Sequence, residues 1–154
     1  LAGLIEDLRD LYGYVAAERE ITLESRVPPE LEAEADLNRL RQVIANLLDN
    51  AIKYTPEGGR VRIEASPEEG GARIVVRDTG PGIPAEELPH IWERLYRGDR
   101  SRSTPGLGLG LSLVQAIVRA HGGKAEARSL PEGGAEFTVH LPAASRWAAS
   151  LTNL

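Results

Sequence analysis

The sequence contains no cysteine and no methionine, and only one phenylalanine, among its 154 residues. The absence of cysteine excludes disulfides, thiolate metal sites and a cysteine nucleophile. No apolar run reaches the roughly 20 residues that a membrane-spanning helix needs, and no signal-peptide pattern is visible. Positive charge is also in short supply. The 18 Lys and Arg residues stand against 23 Asp and Glu, a net charge of −5, which argues against a general nucleic-acid binder with its basic face. The chain opens on Leu1 with no methionine anywhere and is expected to be a piece of something longer. What is present, 42% hydrophobic and 27% charged residues, is ordinary for one soluble domain large enough to bury a core.

Along residues 1–19, Leu1, Leu4, Ile5, Leu8, Leu11, Tyr12 and Val15 recur at helical spacing close to a heptad seam. Residues 21–27 alternate like a strand, stopped by Pro28-Pro29. Asp36 is placed to cap a helix running to Tyr54, with Leu37, Leu40, Val43, Ile44, Leu47, Leu48 and Ile52 on its apolar face. Residues 60–66 and 72–78 read as a hairpin, and residues 124–130 and 135–141 as a second one. Between the hairpins lie a Gly-, Pro-, Arg- and Ser-rich stretch over 79–108, a short helical piece around 86–96, and a helix over 109–121 ended by Gly122-Gly123. The order α, β, α, β, β, loop, α, β, β predicts an α+β fold, one mixed sheet covered on one face by helices. Residues 143–154 carry Trp147 and Leu151 at helical spacing, as in a short helix or the start of a further segment.

Three motifs carry chemistry. Asn46, Asn50 and Lys53 fall at i, i+4 and i+7, so they project from one stripe of the long helix, away from its apolar arc. Solvated faces favour Glu, Lys and Arg over Asn. Amide oxygens suit a hard Mg²⁺ ion that arrives phosphate-bound and partly hydrated, and Lys53 would neutralise phosphate charge. Asp78 ends a strand and is followed by Thr-Gly80-Pro-Gly82. There a carboxylate can accept from a purine amino group, or simply close an Asx-type turn. Gly106-Leu-Gly108-Leu-Gly110 precedes a helix, so its N–H groups can face phosphates. Arg94, Arg97, Arg100 and Arg102 crowd nearby, either as a solvated loop or as a polyphosphate clamp. No Walker loop, dinucleotide fingerprint or protein-kinase catalytic loop is present. The three motifs together describe a pocket for a metal-bound nucleotide.

In this order the motifs resemble those of the catalytic, ATP-binding domain of bacterial two-component sensor histidine kinases, the Bergerat or GHKL fold. Residues 46–54 are similar to the N box, 78–83 to the first glycine box, 91–97 to the F box and 106–114 to the second glycine box. The likeness covers residues 20–142. It implies a two-layer α/β sandwich with a five-stranded mixed sheet, about three helices and a flexible ATP lid over residues 95–108. It also implies Mg²⁺ on Asn46 and Asn50. Lys53, Tyr54 and Arg97 would face phosphates and ribose, with Asn46, Lys53 and Arg97 as the catalytic set, and Tyr96 and Arg102 would also belong to the nucleotide site. Asp78 would bind the adenine amino group, with Gly80 and Gly82 shaping that wall; Gly106, Gly108 and Gly110 would hinge the lid, and Ile83, Leu109 and Leu111 would also belong to the nucleotide site. Trp92 and Leu95 replace the usual phenylalanines of the F box.

Two departures bear on mechanism. Related ATPases such as gyrase B and MutL carry a water-activating glutamate where this chain has Asn46, so fast hydrolysis is not expected. No phosphoacceptor motif of the histidine-kinase type surrounds His90, His121 or His140. His121 reads as a helix-end residue, and the other two as structural. Residues 1–19 resemble the end of the dimerisation hairpin and its linker, which places the acceptor outside this chain. The resemblance implies ATP and Mg²⁺ as cofactors, and as partners the histidine-bearing dimerisation domain of the same protein and a response regulator. It further implies no nucleic acid, a monomeric piece of a homodimeric parent, and a cytoplasmic domain of a possible inner-membrane sensor. The competing readings are an anti-sigma-type serine kinase of the same fold and a degenerate nucleotide- or protein-binding module.

Overall fold

The computed structural model describes residues 1–31, 35–68, 70–93 and 110–142. Among the described residues the α-helices and strands follow one another as α1 (Ala2–Glu18), β1 (Thr22–Arg26), α2 (Leu37–Tyr54), β2 (Arg60–Glu68), β3 (Gly71–Asp78), α3 (Gly110–Ala120), β4 (Lys124–Ser129) and β5 (Ala135–Pro142). The sheet order is β1-β2-β3-β5-β4, with β1 parallel to β2 and every other pair antiparallel. The α+β sandwich with a five-stranded mixed sheet is therefore as the sequence predicts.

Alternation decides the two faces of the sheet. Val61, Ile63 and Ala65 of β2, Ala72, Ile74 and Val76 of β3, and Ala135, Phe137, Val139 and Leu141 of β5 are all buried. Onto the same layer α2 brings Leu40, Val43, Ile44, Leu47, Leu48, Ala51 and Ile52, and α3 brings Val114, Ile117 and Val118. The Asp36 carboxylate accepts from Arg39 N at 3.1 Å and caps α2 at its start. At the other end Arg19 donates to the carbonyls of Ile52 and Thr55, satisfying helix-end acceptors that no further turn reaches.

Helix α1 belongs to this core in space. Leu4, Ile5, Leu8 and Ala16 are buried in the same cluster as α2, while Leu11, Tyr14 and Val15 stay exposed. Glu6 accepts from the Ser25 hydroxyl of β1 at 2.8 Å, fixing the helix against the sheet edge. His121 ties the ends of two helices together: its Nδ1 donates to Ile117 O at 2.9 Å and its Nε2 accepts from Asp36 N at 3.2 Å.

The other sheet face is a ladder of charge. Glu24 pairs with Arg62 at 3.1 Å, Arg62 with Glu64 at 3.5 Å, and Glu64 with Arg77 at 3.4 Å. Glu136 takes both Arg77 and Arg128. Hydrogen bonds from Arg128 and then Arg77 hold the Glu136 carboxyl below the ordinary carboxylate range, against burial, which raises it. A depressed folded-state pKa contributes stability that is present above the unfolded value, about 4.3, and lost as pH falls through the folded value. Glu136→Gln is therefore expected to cost about 1–2 kcal/mol at pH 7. Urea denaturation across a series of falling pH should show the gap to wild type narrowing as the carboxyl protonates in the folded chain, and a gap that stays constant until the chain unfolds by acid alone would exclude ionisation as its source.

Candidate nucleotide-binding site

The first two motifs are carried by α2 and by the loop leaving β3, and Gly110, the described residue of the third, begins α3. Asn46 and Asn50 are half-buried on α2, one turn apart, and Lys53 and Tyr54 are half-buried in its last turn. Asn46 Nδ2 donates to Gly110 O, at the first residue of α3, over 3.4 Å. That bond links the amide row to the end of the second glycine motif. Leu111 is half-buried one residue further on.

Asp78 ends β3 with 5% of its surface exposed. Its Oδ1 accepts from Gly80 N at 2.9 Å, an Asx-type turn, and from Ala135 N at 3.3 Å. The loop then runs against the end of α2, since a Cβ on Gly80 would lie 2.7 Å from Tyr54 O. Gly82 has φ +81° and is buried, as is Ile83 beside it. Of the two readings of Asp78, the Asx-type turn is present in these contacts, and the carboxylate that closes it is buried. Tyr96, Arg97, Arg102, Gly106, Gly108 and Leu109 lie outside the described residues, as do Arg94, Leu95, Arg100 and the segment assigned to the lid.

Trp92, from the F-box-like run, meets Phe137 edge to face with centroids 5.9 Å apart, so this run is tied to the core at the only phenylalanine of the chain. Through residue 93 the helical piece placed around 86–96 is a single 3-10 turn, Leu88–His90, which holds Pro89, a residue with no N–H to continue a helix. Histidines are committed elsewhere. His90 Nδ1 lies 2.8 Å from Glu93 Oε1, and His140 Nδ1 lies 2.8 Å from Glu68 Oε2. His121 has both ring nitrogens bonded inside the fold.

Sequence reasoning missed the β4–β5 turn as part of this region. Ser129 Oγ accepts from Ile83 N at 2.8 Å and donates to Ile83 O at 2.7 Å. Gly134, at φ +93°, lies so close that a Cβ would sit 1.9 Å from Asp78 O. Thr79 Oγ1 accepts from Arg60 N at 2.9 Å and holds the other side of the loop. A second glycine after Gly133 in the hairpin turn was the available signal. It reads equally as plain turn chemistry.

One end of the sandwich thus gathers amides, a lysine and a buried acid around glycine loops, and the class this defines is a nucleotide-binding domain. The family of histidine kinase-, DNA gyrase B- and HSP90-like ATPases matches residues 35–145, and the chain belongs to it. Among curated relatives, the adaptive-response sensory kinase SasA of Nostoc is 43% identical over 141 residues, covering 90% of this chain and 34% of that protein. The chain therefore spans about a third of such relatives. The solved catalytic domain of histidine kinase ThkA is 30% identical with a TM-score of 0.83, covering 92% of this chain and 91% of that one. ThkA has also been solved in complex with the response regulator protein TrrA. Full-length ShkA in complex with AMPPNP is 35% identical with a TM-score of 0.80, covering 91% of this chain and 29% of that one. The chain is accordingly an ATP-binding catalytic domain of the histidine-kinase type.

Proposed function

We propose that this domain holds Mg-ATP at the end of the sandwich marked by Asn46, Tyr54, Asp78 and Gly110, and that the whole protein passes the γ-phosphoryl to a histidine on a separate dimerisation domain. The observation that supports this reading is that α2 touches both the loop leaving β3 and Gly110, the described end of the second glycine motif. Asn46 bonds to Gly110 O, and Gly80 sits between Tyr54 O and the Asp78 carboxylate.

The residues fit a magnesium ion that arrives with its nucleotide. No cluster of three or more His, Cys, Asp or Glu among the described residues could hold an ion by itself. Asn46 directs its amide nitrogen to Gly110, leaving its oxygen, a hard donor, for an ion shared with Asn50 and the phosphates. An ion held by Asn46 and Asn50 would supply charge neutralisation on the phosphates. Lys53 and Arg97 add positive charge there, and Asn46, lacking basicity, activates no water. Tyr54, Tyr96 and Arg102 line the ribose and phosphates. By the family resemblance, Gly106, Gly108 and Gly110 would serve as the hinge, Leu109 and Leu111 would belong to the nucleotide site, and Asp78 would take the adenine amino group.

The acceptor is outside this chain. His121 has no free ring nitrogen, and His90 and His140 are engaged with carboxylates. Packing of Leu4, Ile5 and Leu8 into the core favours counting α1 with the catalytic unit as well as with the end of the dimerisation hairpin that residues 1–19 resemble. A response regulator is the next partner, as ThkA is with TrrA. The likeness to sensor kinases supports a cytoplasmic location for the domain; separately, among the described residues no helix is long and apolar enough to cross a membrane.

Two measurements test this. Calorimetry should show Mg-ATP binding that weakens about tenfold on adding EDTA, since the ion links Asn46 and Asn50 to the phosphates; equal affinity with and without metal would remove Mg²⁺ from the site. γ-labelled ATP should leave the chain unlabelled, whereas acid-labile label on His90, His121 or His140 would refute an external acceptor.

A further inference from the structure

The end of the sheet where Asp78 stands is built by three strands, and the third has no part in the reading above. In the order β3-β5-β4, Asp78 ends β3, Ala135 begins β5 and Ser129 ends β4 opposite Ala135. Ser129 therefore reaches past the start of β5 to the loop that leaves β3. Its hydroxyl is used twice on one residue, accepting from Ile83 N and donating to Ile83 O. A hydroxyl that clamps both polar groups of one backbone unit fixes that unit's position and its rotation. Gly134 closes the same contact from the turn side, against Asp78 O, and its own carbonyl would lie 3.1 Å from a Cβ on Gly82. Ala135 N completes the enclosure by donating to Asp78 Oδ1.

We propose that Ser129 is a positioning residue that sets the nucleobase specificity of this site: by clamping Ile83 it holds the 78–83 loop where the Asp78 carboxylate discriminates a 6-amino purine from a 6-oxo purine. This inference rests on the reading that Asp78 receives adenine. The clamp acts at the far end of the loop from Asp78, whose near end is held by its own turn. With both ends held, the carboxylate and the backbone facing the base keep one spacing. With Ile83 released, the loop yields to a ligand, and a carbonyl at C6 no longer meets a fixed acceptor.

The test is calorimetric titration of the full chain with Mg-ATP and Mg-ITP, the inosine nucleotide carrying oxygen in place of the amino group. Wild type should favour ATP by about tenfold or more, as expected for a hydrogen bond to a charged acceptor. Ser129→Ala should cut that ratio by at least about threefold, with urea denaturation confirming a folded chain. Ser129→Thr, which keeps the hydroxyl, should restore it. A merely structural role would weaken both nucleotides alike, and an unchanged ratio in Ser129→Ala beside a collapsed ratio in Asp78→Asn would overturn the proposal while leaving the adenine reading intact. An unchanged ratio in Asp78→Asn would remove the adenine reading itself and the proposal with it.

Discussion

Gly134→Ala is expected to remove about 3–5 kcal/mol of stability and to lower the melting temperature by about 10 °C. Two costs add. The backbone sits at φ +93°, a region that side chains rarely enter, and the new Cβ would fall 1.9 Å from Asp78 O, well inside any real contact. The obstruction is backbone, so no rotamer change relieves it. Either β5 must shift from β3 or the loop must leave its place. Gly133→Ala separates the two costs. Its φ is +104° but a Cβ there meets nothing within 4 Å, so it should lose only the conformational part, about 1–2 kcal/mol. Urea denaturation of both variants gives the comparison. Equal losses would mean that the close approach to Asp78 contributes nothing.

How much of this was readable beforehand differs by element. Helix α2 was legible at both ends. Its apolar residues recur with helical period, Asp36 caps the start, and Thr55-Pro56 stops it, because Thr55 leaves helical angles at φ −85°, ψ 126°. Strand alternation was equally plain, but β2 runs two residues past its expected end, through Pro67 to Glu68. The missing N–H of Pro67 goes unpunished because β1 pairs only as far as Glu64, which leaves β2 an edge from there on. Residues 1–19 posed a different problem. A stripe with heptad spacing must be buried against something, but spacing does not name the partner. Here Leu4, Ile5 and Leu8 meet the core of the same domain.

The candidate site divides along the same line. Asn46, Asn50, Lys53 and Asp78 stand out as candidates because polar residues at those spacings conflict with the simplest use of a helix or strand end. Ser129 and Gly134 raise no such conflict. A serine at a strand end and a glycine in a hairpin turn are what turn chemistry asks for anyway, and their partners lie more than 40 residues earlier in the chain, at Ile83 and Asp78. Hairpins are local and legible. The pairing of β3 with β5 is not, and that pairing brings the turn to the loop.

Asp78→Asn should weaken Mg-ATP binding by about 30- to 100-fold, roughly 2–3 kcal/mol, while the chain stays folded. The substitution keeps an oxygen able to accept from Gly80 N and Ala135 N, the two bonds now made by Oδ1, so the loop retains its closure. It replaces the other carboxylate oxygen by an N–H donor and removes the charge, so a purine amino group meets a donor where it needs an acceptor. The loss should therefore appear on the adenine side alone. ATP and ADP should weaken by the same factor, since both carry the base, and tripolyphosphate with Mg²⁺ should bind as it does to wild type. Removing Mg²⁺ should do the reverse, acting on the phosphates of either protein by the same factor. Calorimetry of the four combinations forms a closed cycle, and independence of the two effects is what separate contacts at the two ends of one nucleotide require. An Asp78→Asn chain that binds ATP undiminished would show that the carboxylate serves only to close its turn.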